Sequence, residues 1–591
     1  MASGDQTDSA TGGAPASADL QTIYPLIFST QRRSGAADVY FRSPSLQKLV
    51  EFFEKKGLAA IKAEDQSQQW YEDWISYQTT HRIYASLISP KEFSTLGHEL
   101  DLLKLTRFLE VFGYFSAAHG YSLHVSFLGL FAILMGSNTG LKKEAVAALE
   151  SGGLFAFGIS EKEHGSDLLG NEFTVASAGP DRLIANGSKY YIGNANCASM
   201  ISILARKLEG RSSKRAPPVL FALRPKESKA FGNVKKIPTL GVRAAFVGEF
   251  EVKQHEFPQT DVIAEGRQAW DAVMGTVTLG KFFLGFGSIG MCERALNEAI
   301  AHLTQRILYA KPVIDMPHIA SMVAQAYARL TAMKLYAFRA LDYIHAASAD
   351  DRRYLLYCAV QKARVSTEGV KVMSLLSECV NARGFETDTY FEMALRDVQL
   401  IPGLEGSTHI NLTMTSQFIP KYFNDPNSDL PDPPSLAAGQ SPSNENQYLM
   451  EARSTSVNTV AFPPFRKSYR PLWSIPNVRI FARQAKSFRL FAKDLPPAAD
   501  TQTAISVGQC LATIAYGQLV AENAVRFEMP PQMVAVIFHL LVNDLSVSAL
   551  TLASSHRLDA TGRALIRHVL AIPKTAGADW DFVLAQATKP G

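Results

Sequence analysis

The chain has 591 residues, 47% of them hydrophobic and 19% charged, with a formal net charge of +4. That length fills more than one core and predicts two to four domains. So small a net charge points to neither a nucleic-acid partner nor a strongly acidic one. Five cysteines (Cys197, Cys292, Cys358, Cys379 and Cys510) lack metal-ligand spacing and read as buried, reduced thiols.

In chain order, residues 1–44 form an N-terminal extension. Its first twenty residues are small and polar, with no basic and apolar signal core. Residues 45–152 read as a helical domain. Leu46, Leu49, Val50 and Phe53 recur at spacings of three and four, as do Leu102, Leu105, Leu109 and Phe112. The nearly all-apolar stretch from Gly120 to Gly136 predicts a central buried helix. Val125, Phe127, Leu128 and Phe131 within it read as core, with an acyl tunnel as the alternative.

Residues 153–265 change texture. Short β-branched and aromatic runs between glycine, proline and aspartate predict a small, antiparallel, barrel-like β domain, with a tight turn at Asn186-Gly187. Helical periodicity returns over 266–423 and predicts a four-helix-bundle domain. Leu296, Ile300, Leu303 and Ile307 mark one helix there. Residues 424–469, rich in proline, serine and asparagine, read as a linker or long loop. Residues 470–591 predict an additional C-terminal helical domain. The fold class is therefore α+β. The apolar runs Val125–Met135 and Met533–Val542 fall short of a bilayer's thickness, so no integral membrane segment is expected.

Several segments bear on chemistry. Gly285-Phe-Gly287-Ser-Ile-Gly290 spells a dinucleotide fingerprint, but no βαβ unit surrounds it, and helix packing explains the glycines better. Ser160 to Asp167 is a polar loop at a helix-to-sheet junction, offering hydroxyls at Ser160 and Ser166; a turn and a site are both consistent with it. Glu405 stands between Gly403 and Gly406. Burial there would raise its pKa and make it a base for a weakly acidic carbon, and an exposed turn acid is the other reading. Arg396 and Asp397 read as a local ion pair. His164, His318 and His409 form no zinc signature, so no metal is expected. Arg206, Arg211 and Arg215 read as a solvated basic loop.

In order and spacing these segments resemble the acyl-CoA dehydrogenase family. Its Tyr-x-x-Thr-Glu-Pro-x-x-Gly-Ser-Asp element is similar to Phe157-Gly-Ile-Ser160-Glu-Lys-Glu-His-Gly-Ser166-Asp167. Its Gly-x-Lys-x-Trp-Ile-Thr-Asn element is similar to Gly187-Ser-Lys189-Tyr-Tyr191-Ile-Gly193-Asn194. Its Arg-Asp and Glu-Gly-Thr elements are similar to Arg396-Asp397 and Glu405-Gly406-Ser407. The resemblance covers about 45–415. It implies FAD between the β domain and the second bundle, with Phe157, Ser160, Ser166, Tyr191, Gly193, Arg306 and Ser407 at the cofactor. Arg306 would reach the FAD phosphates of a partner subunit.

The resemblance makes Glu405 the catalytic base that removes the α proton of an acyl-CoA or acyl-carrier thioester, giving a trans-2-enoyl product. It further implies a cytoplasmic enzyme of fatty acid metabolism, a homodimer, and reoxidation by an electron-transfer flavoprotein or another acceptor. Lys162, His164, Gly193, Asn381-Ala-Arg383-Gly384-Phe385 and Tyr309-Ala310 depart from the family pattern and mark a divergent branch. Two alternatives stand beside this reading: a flavin-dependent oxidase or monooxygenase on the same scaffold, and a non-catalytic helical scaffold protein.

Overall fold

The computed structural model describes residues 43–208, 216–424, 426–437, 445–493, 500–556 and 558–589. Nearly all of the N-terminal extension, and Arg211 and Arg215, lie outside them.

Among the described residues six helices come first: α1 (Pro44–Ser67), α2 (Glu72–Thr80), α3 (Ala85–Ile88), α4 (Leu102–Phe115), α5 (Ala117–Leu134) and α6 (Thr139–Glu150). Proline at the first turn starts α1, where its missing N–H costs nothing. The Asp101 carboxylate accepts the Lys104 N–H at the start of α4 and satisfies one of the orphan donors of that end. The apolar stripes of α1 and α4 are buried, and almost every residue of α5 is inside. Val125, Phe127, Leu128 and Phe131 are core, with Phe127 stacked on Phe131 and edge-on to Phe283.

The sheet comprises β1 (Leu154–Gly158), β2 (Thr174–Gly179), β3 (Arg182–Gly193), β4 (Ala198–Leu208), β5 (Pro218–Leu223), β6 (Phe231–Lys236), β7 (Val247–Pro258) and β8 (Val262–Glu265). Its pairing path runs β6-β7-β3-β2-β4-β5-β8, with β1 also on β4. The expected antiparallel sheet is in fact mixed, because β4 runs parallel to β1 along its first half and to β2 at its end. Asn186-Gly187 is not a hairpin turn. It lies inside the 12-residue β3 at a register shift between Ala185 and Gly187. Phe173 approaches Gly187 so closely that a side chain there would collide with its ring. The bulge bends one long strand where two short ones were expected.

The second helical region holds α7 (Gly266–Gln305), α8 (Pro317–His345), α9 (Tyr354–Val360), α10 (Ser366–Val380), α11 (Tyr390–Leu400), α12 (Thr408–Ser416) and α13 (Ile419–Phe423). The fingerprint-like glycines sit in mid-α7. A Cβ on Gly290 would fall on the Glu110 carbonyl of α4, and one on Gly113 of α4 would fall on the Gly287 carbonyl. They bring two backbones together, as packing glycines do. The expected helix through Ile307 stops two residues earlier, because Ile307–Leu308 and Lys311–Pro312 pair as a small hairpin.

Residues 426–437 and 445–475 pack onto the bundle through Leu436, Leu449, Phe462, Phe465 and Tyr469. Five more helices follow among the described residues: α14 (Pro476–Lys493), α15 (Thr501–Arg526), α16 (Pro531–Ala553), α17 (Ala560–Arg567) and α18 (Gly577–Thr588). They join the bundle by a Tyr336–Tyr516 stack at 4.8 Å and by buried ion pairs of Asp544 with Arg329 and Arg364.

Helices α5, α7, α15 and α16 are long and apolar enough to cross a membrane by length and composition. The expectation that these runs are too short is corrected: α5 spans 18 residues and α16 spans 23, since each helix extends beyond its most apolar stretch. Most of each apolar window is buried inside the fold.

Candidate active site

Glu405 lies in the short loop between α11 and α12 with φ +49, the left-handed region. One carboxylate oxygen, Oε1, is hydrogen-bonded to Nε2 of His124 from the middle of α5. The other, Oε2, is buried and has no hydrogen-bond partner among the described residues. Gly280 of α7 makes room for it, since a Cβ there would lie 2.6 Å from Oε2.

Two buried lysines flank this carboxylate. Lys362 donates to the Ile401 carbonyl at 2.6 Å, and burial lowers its ammonium to about 7, the charge of Glu405 opposing. Lys281 of α7 rests 3.9 Å from the Met414 sulfur. Burial lowers it to about 8, again against the pull of Glu405. Burial also pushes the Tyr121 phenol up, and the charge of Glu405 adds to that. Tyr121, His124, Leu284 and Leu404 help line an apolar cavity of about 40 Å³ beside the carboxylate.

The remaining predicted site residues fall into two places. Ser160 follows β1 and donates to the Tyr190 carbonyl at 2.7 Å. The loop after it is fastened by Glu161, which accepts from Lys189 at 2.8 Å and from the backbone of Glu172 and Phe173. The two motif segments are therefore one structural unit, joined by an ion pair and a hydroxyl. Tyr191 sits on a second bulge of β3 with φ +63 and is 57% exposed. Phe157 is buried in β1, and Ser166 is exposed.

Gly193 ends β3 against α5: a Cβ would stand 2.6 Å from Val125 and 2.8 Å from the Tyr121 ring. That contact links the sheet edge to the Glu405 cavity. Ser407 is the N-cap residue of α12, two positions after Glu405. Arg306 is exposed at the C-terminal end of α7. Gly280, which abuts Glu405, is 26 residues earlier on the same helix, and at 1.5 Å per residue the separation is about 39 Å. One chain does not bring Arg306 to Glu405.

Arg396 and Asp397 are not principally paired with each other. Arg396 holds Asp65 of α1 at 2.6 Å and Glu392 at 2.8 Å, while Asp397 accepts the Val242 N–H at 2.6 Å. Burial raises the Asp397 carboxyl to about 7. Adjacent residues on a helix point apart, so each finds its partner on a different element. Four cysteines are buried, Cys197 is half-buried, and all five are free thiols. Glu64, Asp73 and His119 stand close enough to hold a cation, but the Lys56 ammonium already bridges the two carboxylates.

Sequence reasoning missed His124, Tyr121, Lys281 and Lys362. The available signal was a polar residue interrupting an otherwise apolar helix, which burial makes costly unless it is partnered.

A mixed sheet between two helical regions of the chain, with a partly buried carboxylate in the loop between α11 and α12 held by His124 of α5, defines the class. Residues 156–255 match the acyl-CoA dehydrogenase middle-domain model, and 268–419 match the acyl-CoA dehydrogenase C-terminal-domain model. The chain is 23% identical over 323 residues to cyclohex-1-ene-1-carbonyl-CoA dehydrogenase of Geobacter metallireducens, covering 54% of this chain and 83% of that protein. It is 26% identical over 290 residues to glutaryl-CoA dehydrogenase of Desulfococcus multivorans, covering 47% and 72%. An acyl-CoA dehydrogenase from Bacillus anthracis, solved with FAD, superposes with a TM-score of 0.74 at 14% identity, covering 97% of this chain and 98% of that one. The chain belongs to the acyl-CoA dehydrogenase family of FAD-dependent oxidoreductases.

Proposed function

We propose that this protein oxidises an acyl thioester to its trans-2-enoyl form, with Glu405 as the base that takes the α proton. The observation that carries the reading is the asymmetry of the Glu405 carboxylate. His124 occupies Oε1 and fixes the side chain, so the buried Oε2 keeps the lone pair that receives the proton. A positioned carboxylate shielded from water meets the requirement of proton abstraction beside a carbonyl.

The residues around the sheet edge fit a flavin. Tyr191 offers an open ring face, Ser160 and Ser166 offer hydroxyls, and Gly193 keeps the strand end free of a side chain. Phe157 and Ser407 would complete the cradle. Bound FAD would accept the β hydrogen with its electron pair. Arg306, about 39 Å along α7 from the Glu405 end, suits a cofactor held by a second subunit, and we assign the protein as a homodimer on that ground. An electron-transfer flavoprotein or another acceptor would reoxidise the cofactor, and five free thiols accord with a cytoplasmic setting. We divide the chain at 45–152, 153–265, 266–423 and 470–591, the last being a helical domain added to the family core.

The apolar cavity lined by Tyr121, His124, Leu284 and Leu404 is the place for the acyl group beside the base. Anaerobic titration with acyl-CoA thioesters of graded length tests the reading. Flavin bleaching with an enoyl product is expected, and Glu405→Gln should lower turnover by about 10²–10⁴-fold with flavin retained. Undiminished turnover in that variant removes Glu405 as base. Oxygen-dependent peroxide release in place of bleaching would make the enzyme an oxidase.

A further inference from the structure

The small net charge conceals a segregated one. Between residues 452 and 493 there are nine lysines and arginines and no aspartate or glutamate. Against a whole-chain excess of +4, this segment alone carries more than all of it. The structure gathers much of it onto one face. Arg479, Arg483, Lys486, Arg489 and Lys493 recur along α14 at spacings of four, three, three and four, which is one stripe of a helix. Arg483, Lys486, Arg489 and Lys493 are exposed and Arg479 is half-buried. Arg466, Lys467 and Arg470 are exposed just before the helix.

None of these eight cations makes an ion pair among the described residues. Arg479 donates only to the carbonyls of Trp473 and Ser474. Like charges at i, i+3 and i, i+4 weaken a helix, so the stripe works against the fold that bears it. Among the described residues no carboxylate compensates the stripe, which suits it to a polyanionic partner.

We propose that the exposed face of α14 is a docking surface for the phosphate backbone of duplex nucleic acid, read without sequence preference. The five helix cations extend over 14 residues, or about 21 Å at 1.5 Å per residue. A duplex presents a phosphate charge every ~1.7 Å of its axis, so a straight row of cations finds a matching row of anions. An anionic bilayer fits less well. It would take up an apolar helix face, and that of α14 (Val478, Phe481, Ala485 and Phe488) is buried in the core. Leu490 is the one large apolar side chain that α14 exposes. The surface lies outside the site of thioester oxidation and does not depend on that assignment.

The experiment is fluorescence anisotropy of the full-length, flavin-loaded protein with a labelled 20-base-pair DNA duplex of mixed sequence. Five neutralised phosphates give a salt slope of about −4.5, an affinity loss of about 500-fold between 50 and 200 mM salt. The triple variant Arg483→Glu, Lys486→Glu, Arg489→Glu alters only exposed side chains. It should bind at least ~100-fold more weakly at 50 mM salt, lower the slope to about −2, and leave acyl-CoA turnover unchanged. Vesicles of phosphatidylcholine with 30% phosphatidylserine serve as the comparison. Absence of duplex binding at 50 mM salt overturns the proposal, as does equal binding by the triple variant. Retention on vesicles without duplex binding would identify a membrane surface instead.

Discussion

At Glu405 the backbone takes a left-handed conformation that costs a non-glycine residue roughly 1–2 kcal/mol. The loop holds it because the side chain is fixed from the other side by His124. A hydrogen bond to a charged group contributes about 1.5–3 kcal/mol, comparable with the backbone cost. Truncation by His124→Ala should therefore release the carboxylate, lowering kcat about tenfold with flavin content unchanged, while His124→Gln restores part of it. Equal kcat in wild type and His124→Ala would reduce His124 to packing.

Lys362 tests the electrostatics of the same spot. Its ammonium, lowered to about 7 by burial, is charged below that pH and then favours the ionised carboxylate beside it. Removing that charge in Lys362→Met should move the acid limb of the kcat profile to higher pH. A limb that stays in place would show that the lysine does not sense Glu405. The glutamate was legible in the sequence because an acid between glycines is conspicuous. Of its four polar neighbours His124 lies 281 positions away, Tyr121, Lys281 and Lys362 are also remote in the chain, and no local pattern joins them.

Among elements, β3 and α11 show why motifs recur as units. Lys189 of β3 and Glu161 of the preceding loop are a buried pair, and burial lowers the lysine to about 8. On α11, Arg396 ties down α1, and Asp397 ties down the Val242 segment. The Asp397 carboxyl is raised to about 7 by burial, against about 3.9 in an unfolded chain. As pH rises from about 4 to 7 the unfolded state loses its proton first, so stability falls by at most about 4 kcal/mol through that window. Asp397→Asn keeps an oxygen for the Val242 N–H and has nothing to ionise. Its melting temperature should exceed that of wild type by a margin that grows from pH 4.5 to 7.5. A constant margin would mean the carboxyl is already ionised in the fold.

For the molecule as a whole, one buried cluster helps to tie the C-terminal helices to the bundle. Asp544 of α16 meets Arg329 of α8 at 3.0 Å and Arg364 at 2.7 Å, and Glu368 of α10 completes the set. Burial works against the Asp544 charge, but Arg364 and Arg329 outweigh it and hold the carboxyl well below its usual range. Asp544→Ala leaves two guanidiniums over one carboxylate and should cost about 3–5 kcal/mol in chemical denaturation, with a single transition. Separate transitions for the bundle and the C-terminal helices in this variant would show that the cluster alone couples them, and an unchanged stability would show that it contributes nothing to the joint.

The sequence by itself determined the elements whose signal is local. The apolar stripes of α1 and α4, the buried character of α5 and the order of helical, β and helical regions follow from side-chain periodicity, which each segment carries alone. It also pointed to packing as the role of the glycines in mid-α7, since no βαβ unit surrounds them. Tertiary structure alone decided what depends on pairing at a distance. β4 turns toward two parallel partners, Asn186-Gly187 becomes a bulge because Phe173 presses on it, and Arg396 and Asp397 part to different elements. The His124–Glu405 pair and the uncompensated face of α14 belong to the same class: burial and charge are properties of neighbours, and only the folded chain says which residues those are.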